Sequence, residues 1–177
     1  MKKSIFAVAI FAIALVFSNN LTAQKFSGLD KSPLDVTAFP KSHKEANKVV
    51  KVTYSRPQLK GRSVESLAKP GEVWRTGANE AAEIRFYEDV KFGGKSVKAG
   101  TYTLFTIPGE KEWTVILNKA SNVWGGYSYN ASEDVVRVKG EVSKSKENIE
   151  AFSMVFDGKM TLCLGWGHTI VKVPVSK

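Results

Sequence analysis

From residue 48 onward, short runs of β-type residues recur at even spacing, and no stretch sustains a helical period. Val50, Val52 and Tyr54 alternate with Lys51, Thr53 and Ser55. Ala82, Ile84 and Phe86 alternate with Glu83, Arg85 and Tyr87, and Val136 and Val138 alternate with Arg137 and Lys139. Successive side chains of a strand point to opposite faces, so such alternation predicts half-buried strands. Residues 101–107 and 113–117 are more continuously apolar or β-branched, the pattern of strands covered on both faces. Further runs lie at 149–156, 160–166 and 169–175. The separators are turn residues: Gly93-Gly94, Pro108-Gly109, Asp157-Gly158 and the 165–167 segment. Phe156-Asp157-Gly158-Lys159-Met160 reads as a hairpin, with Asp-Gly supplying positive φ angles.

Roughly eight to ten short strands with turns between them predict an all-β fold. The expected architecture is a single antiparallel β-sandwich over residues 48–177, with jelly-roll-like or barrel-like closure left open. Residues 24–47 read as an irregular N-terminal arm packed on that domain. Gly28, Pro33 and Pro40 punctuate it, Phe26, Leu29, Leu34, Val36 and Phe39 recur between them, and a helical turn is expected near 44–48.

Residues 1–23 read as a cleaved signal peptide. Lys2 and Lys3 form a positive start, residues 5–17 are apolar, and a polar stretch ends in the small residue Ala23. No cysteine follows that would carry a lipid anchor, and no later run is long and apolar enough for a transmembrane anchor. The expected destination is the periplasm, the cell surface or the medium. The formal net charge is +9; without Lys2 and Lys3 it is about +7, which favours acidic partners by long-range attraction. The basic residues are scattered, which speaks against nucleic acid. Cys163 is the single cysteine, so no intrachain disulfide can form, and its apolar run predicts a small buried hydrophobe.

Three stretches carry more functional groups than strands need. The first, residues 54–62, holds Arg56, Lys60 and Arg62. Arg56 shares parity with Val50, Val52 and Tyr54 and points to the core side at the strand's end, where it serves either an anion or an internal acid or carbonyl. The second, residues 71–80, holds Trp74, Arg75, Asn79 and Glu80, either a ligand-contacting loop or a corner plugged by Trp74. The third, residues 123–130, sets Trp124, Tyr127 and Tyr129 among Gly, Ser and Asn, a mix that suits glycan or peptide contact or a cap on the core.

Signals for catalysis are sparse. His43 and His168 form no zinc spacing, and no nucleophile elbow, phosphate loop or dinucleotide fingerprint appears. Neither a metal nor a cofactor is expected. Glu80 and Glu83 are the one pair of carboxylates suited to acid and base roles, although three-residue spacing on a strand usually turns them apart.

Several segments are specific enough to compare with a family. These are Tyr54-Ser55-Arg56-Pro57 with Lys60-Gly61-Arg62, the run from Val73 through Trp74-Arg75-Thr76-Gly77-Ala78-Asn79-Glu80 to Ala81, residues 98–108, and Trp113-Thr114-Val115-Ile116-Leu117-Asn118. Together they resemble the domain of unknown function 2911 family, secreted proteins common in Bacteroidetes. The resemblance implies an exported bacterial β-sandwich and no established activity. Residues 63–69 depart from it, lacking the glycine and aromatic that it leads one to expect.

The functional expectation is a non-enzymatic binding module for an anionic or polar small ligand, a glycan or a peptide of the envelope. Its site would be built from Arg56, Lys60, Arg62, Trp74, Arg75, Asn79, Glu80, Trp124, Tyr127 and Tyr129. The alternatives are a hydrolase of envelope glycans or peptides using Glu80 and Glu83, and a purely structural envelope protein.

Overall fold

Each alternating run forms a strand in the computed structural model, which describes residues 24–177. The expected signal segment at 1–23 lies outside the described residues. In chain order the elements are β1 (Leu34–Phe39), β2 (Val50–Ser55), a single helical turn α1 (Val64–Leu67), β3 (Ala82–Phe86), β4 (Val90–Phe92) and β5 (Lys95–Val97). β6 (Gly100–Ile107), β7 (Glu112–Asn118), β8 (Asp134–Phe156) and β9 (Thr161–Ser176) follow. All pairings are antiparallel, within one nine-stranded sheet of order β1-β2-β3-β6-β7-β8-β9-β4-β5.

The sheet does not close into a barrel, yet it bends until distant strands share one core. Phe86 of β3 meets Phe92 of β4 at 6.1 Å, and Phe39 of β1 meets Phe156 of β8 at 6.5 Å. The bend falls in β8 and β9, where the register shifts between Lys144 and Ile149 and again between Ile149 and Ser153. The segment 165–167 therefore does not separate two strands as expected. β9 runs through it, and Gly167 takes a φ of +58° where an added Cβ would sit 3.0 Å from Val64 Cγ2.

Three further expectations change in detail. The arm is irregular except at Leu34–Phe39, which forms β1 and pairs with β2 from Leu34–Ser55 to Phe39–Val50. Its period of two was short and bracketed by Pro33 and Pro40, so it read as loop. The expected helical turn near 44–48 does not form; the chain makes a single tight turn just before it, with Glu45 N–H donating to Ser42 O at 3.1 Å. The 156–160 hairpin forms, but the positive φ falls on Met160 (64°) and not on Gly158. Asp157 holds this turn by accepting at Oδ1 from the N–H groups of Lys159 (2.8 Å) and Thr161 (2.9 Å). Those bonds favour the carboxylate, and the Thr161 bond most lowers its pKa from the ordinary 3.8.

The main core collects the inward residues of every strand from β2 to β9, among them Val52, Ile84, Leu104, Val115, Phe152, Leu162 and Val173. At its centre Trp74 stacks on Trp166, with Phe152 edge-on at 5.0 Å and Trp113 edge-on at 6.1 Å. Each such aromatic pair adds about 0.5–1.5 kcal/mol beyond the area it buries. A second, smaller cluster of Ala81, Phe105, Ile116 and Val123 lies on the other face of β6 and β7. It accounts for the continuously apolar runs there, since residues 73–81 and 120–129 cover the face that would otherwise meet water.

Cys163 is half-buried, not buried as expected, because it alternates with the inward Leu162 and Leu164. Its thiol donates to Thr161 O at 3.7 Å, and desolvation raises its pKa. Among the described residues no helix is long and apolar enough to cross a membrane.

Candidate functional site

The second and third polar stretches, distant in sequence, lie side by side. Ala81 N–H donates to Val123 O (2.8 Å), Gly125 N–H donates to Asn79 O (2.9 Å), and Glu80 bridges to Trp124. The 71–80 loop is in turn fixed to β6 by a reciprocal pair: Trp74 N–H to Thr106 O at 2.7 Å, and Thr106 N–H to Trp74 O at 2.9 Å. Thr76 is fully buried with φ +54°, and its hydroxyl lies 3.2 Å from that of Thr106. The partner loop turns at Gly125 (φ +69°), where an added Cβ would fall 2.6 Å from Tyr127 Cε2. Only glycine lets the Tyr127 ring fold over the backbone there. The 71–80 loop thus runs on beside β6, sending Trp74 into the main core and Val73 and Ala81 toward Phe105 and Ile116, where Val123 and Tyr129 of the partner loop also pack, a rigid base for exposed side chains.

The candidate residues do not form one site. Trp74 is buried at the centre of the main core, only 6% exposed, and offers no face to a ligand. Arg56 is occupied by the protein itself: Nε donates to Phe152 O (3.1 Å), Nη1 to Asp35 Oδ2 (3.1 Å) and Nη2 to Ser153 Oγ (2.7 Å). It ties the end of β2 to β1 and β8, so the expected arginine fork for an anion is already filled. Lys60 sits at φ +49° with its backbone N–H on Glu150 Oε1 and its side chain in solvent. Tyr129 packs edge-on against Phe105 at 5.1 Å. Its hydroxyl donates to Asp134 Oδ2 (2.6 Å) and accepts from Arg137, an arrangement that pins the loop.

Asn79, Glu80 and Trp124 do come together, in a groove of about 510 Å³. β3 begins only at Ala82 and Ala81 and Ala82 are both buried, so strand alternation does not span the pair, and Glu80 and Glu83 line the same groove instead of turning apart. Asp30 supplies a third carboxylate, Asn122 a second amide, and Ser32 and Thr53 hydroxyls. None of the lining side chains is basic. Trp124 is 61% exposed and Leu34 66% exposed, so the groove has apolar surface beside its acceptors. The sequence signal for Asn122 was its place two residues before Trp124. Asp30 and Ser32 come from the arm, whose return to this groove is a matter of tertiary structure.

Arg75 and Tyr127 share a different, smaller cleft of about 290 Å³ on the other side of the loop pair, with Lys69 and Glu72. Arg62 lies at a third place, an end cavity of about 600 Å³ floored by Leu59, Val64 and Trp113. His168 also lines that cavity. Its Nδ1 lies 3.1 Å from Ser145 O, and a carbonyl can only accept, so Nδ1 carries the proton. Two cations there, Arg62 and Lys144, face two acids, Glu65 and Glu110, so the cavity selects neither sign of charge. Among the described residues no group of three or more His, Cys, Asp or Glu side chains is placed to hold a metal ion.

An open antiparallel nine-stranded sheet with two mutually bonded polar loops defines an all-β protein. The chain belongs to the family of proteins of unknown function DUF2911, which matches it over residues 37–175. No curated protein and no solved structure gave a match.

Proposed function

We propose that the chain is a non-enzymatic binding module of the bacterial periplasm or cell surface, exported by residues 1–23, whose Trp124 groove takes a neutral glycan. One observation carries this reading: a mostly exposed indole on the rim of a groove with carboxylate and amide groups and no basic side chain. A sugar ring offers a C–H face to the indole and hydroxyl donors to Glu80, Glu83 and Asp30, while Asn79 and Asn122 can donate as well as accept. Three carboxylates without a cation repel an anionic ligand, so the anionic class expected from the overall charge does not suit this groove.

Calorimetric titration with a panel of neutral envelope oligosaccharides tests the reading. Binding weakened about tenfold by Trp124→Ala supports it. Absence of binding across the panel, or equal binding by the variant, overturns it. A hydrolase is the second reading, favoured by the convergence of Glu80 and Glu83 on one groove. Its signature is product release from a bound oligosaccharide that stops in Glu80→Gln.

A further inference from the structure

The chain has five arginines, and four of them are engaged. Arg56 donates three hydrogen bonds, Arg62 donates to Leu59 O and Gln58 O, Arg137 pairs with Asp134, and the Arg85 guanidinium lies 4.8 Å over the Tyr87 ring. Arg75 is the exception. None of the ion pairs among the described residues includes it, and its Nε is buried without a hydrogen-bond partner. The side chain is half-buried beside a cleft whose other walls come from the end of α1 and from Gly126 and Tyr127.

Such a group is costly to leave alone. A buried donor without a partner is destabilising, and native proteins keep few of them. A lysine or histidine in that position could shed its proton, but a guanidinium cannot at any ordinary pH. The charge is therefore permanent, and where water does not reach the guanidinium an anion is the partner that suits it. The acid within reach of the cleft, Glu72, is turned to Lys69, with Oε1 3.8 Å from Nζ, too far for a hydrogen bond. Two cations and one acid leave the cleft net positive, the opposite of the Trp124 groove. Tyr127, 87% exposed, also lines the cleft.

We infer that the Arg75 cleft is an oxyanion site, taking a carboxylate, phosphate or sulfate group on the guanidinium with Lys69 as second cation. It is independent of the glycan groove: either can fail while the other stands. The shared chemistry is a small group with at least two charge-bearing oxygens, which a guanidinium fork grips at two points. The cleft's volume of about 290 Å³ admits the anionic end of a ligand and leaves its remainder on the Tyr127 side.

The test is a titration of the isotope-labelled protein with acetate, glucuronate, inorganic phosphate and sulfate at constant ionic strength, following the five arginine Nε–Hε signals. The expected result is a saturable shift of the Arg75 signal with at least one of these anions while the other four stay in place. Acetate and glucuronate against phosphate and sulfate tell a carboxylate source from a tetrahedral one. Lys69→Ala, an exposed change unlinked to folding, should weaken the response by about threefold or more, and Glu72→Ala should strengthen it. Arg75→Gln removes this signal and so assigns it, and in that variant the anions should leave the four remaining arginine signals in place. If that variant does not fold, the wild-type signals and Lys69→Ala decide. An Arg75 signal unmoved by every anion, or five signals drifting together, overturns the assignment.

Discussion

Trp74 lies flat against Trp166, with ring centroids 5.2 Å apart and planes 11° from parallel. Trp124 stands 61% exposed on the neighbouring loop. The two indoles therefore do opposite work. Trp74→Ala removes a large side chain from between three aromatic partners and should lower unfolding free energy by about 3–5 kcal/mol. Trp124→Ala should change it by no more than about 0.5 kcal/mol. Urea denaturation of both variants checks this. Equal losses would mean that Trp124 braces the fold.

Arg56 should behave as a structural residue. Arg56→Ala leaves Phe152 O and Ser153 Oγ without their donor, and about 1–3 kcal/mol of stability should go with them. Asp35→Ala should cost less, because both members of that ion pair are more than a third exposed and water screens them. Arg56→Lys should not recover the loss, since an ammonium cannot reach three acceptors along the guanidinium's plane. Unfolding curves for the three variants are the measurement, and full recovery by lysine would contradict the geometry.

The Asp157 turn sets a dependence on acid. Its folded pKa lies below the ordinary 3.8, chiefly through the Thr161 N–H bond. The contribution to stability is therefore complete above 3.8 and is lost as pH falls through the lowered folded value. Asp157→Asn keeps an acceptor oxygen but cannot titrate. The melting temperature of the wild type should fall more steeply than that of the variant across this acidic range, and parallel curves would exclude the turn as a contributor.

Much of the strand content was legible because a period of two needs only local sequence. Val50 to Ser55 and Ala82 to Tyr87 show it plainly. β1 hid between two prolines, and the middle of β8 hid because Ser143 to Asn148 are polar on both faces and show no alternation. Glycines at 165 and 167 looked like a turn, although one of them marks a bend within a strand.

The site was legible in part. Large polar side chains in loops drew notice to 71–80 and 123–130, yet nothing local says that Asn79 O will meet Gly125 N–H. Nor does sequence tell Trp74 from Trp124. Each stands near glycine and polar residues, and only the pairing of Trp74 with Thr106 turns one of them inward. The overall positive charge pointed toward anions as a class, while its distribution places acids around Trp124 and leaves one arginine alone beside Tyr127.

β8 and β9 extend for 23 and 16 residues and pass through the bend, although their register shifts there twice. The same two strands serve both sides of the bend, so neither side detaches without the other, and amide exchange across the sheet should report one cooperative unit. These strands also follow the other seven in sequence. Phe152 and Trp166, two of the walls around Trp74, are synthesised after β1 to β7, so the earlier strands must wait with their apolar faces uncovered. This fold is completed by β8 and β9, and a chain cut before them lacks its aromatic centre while it keeps both loops.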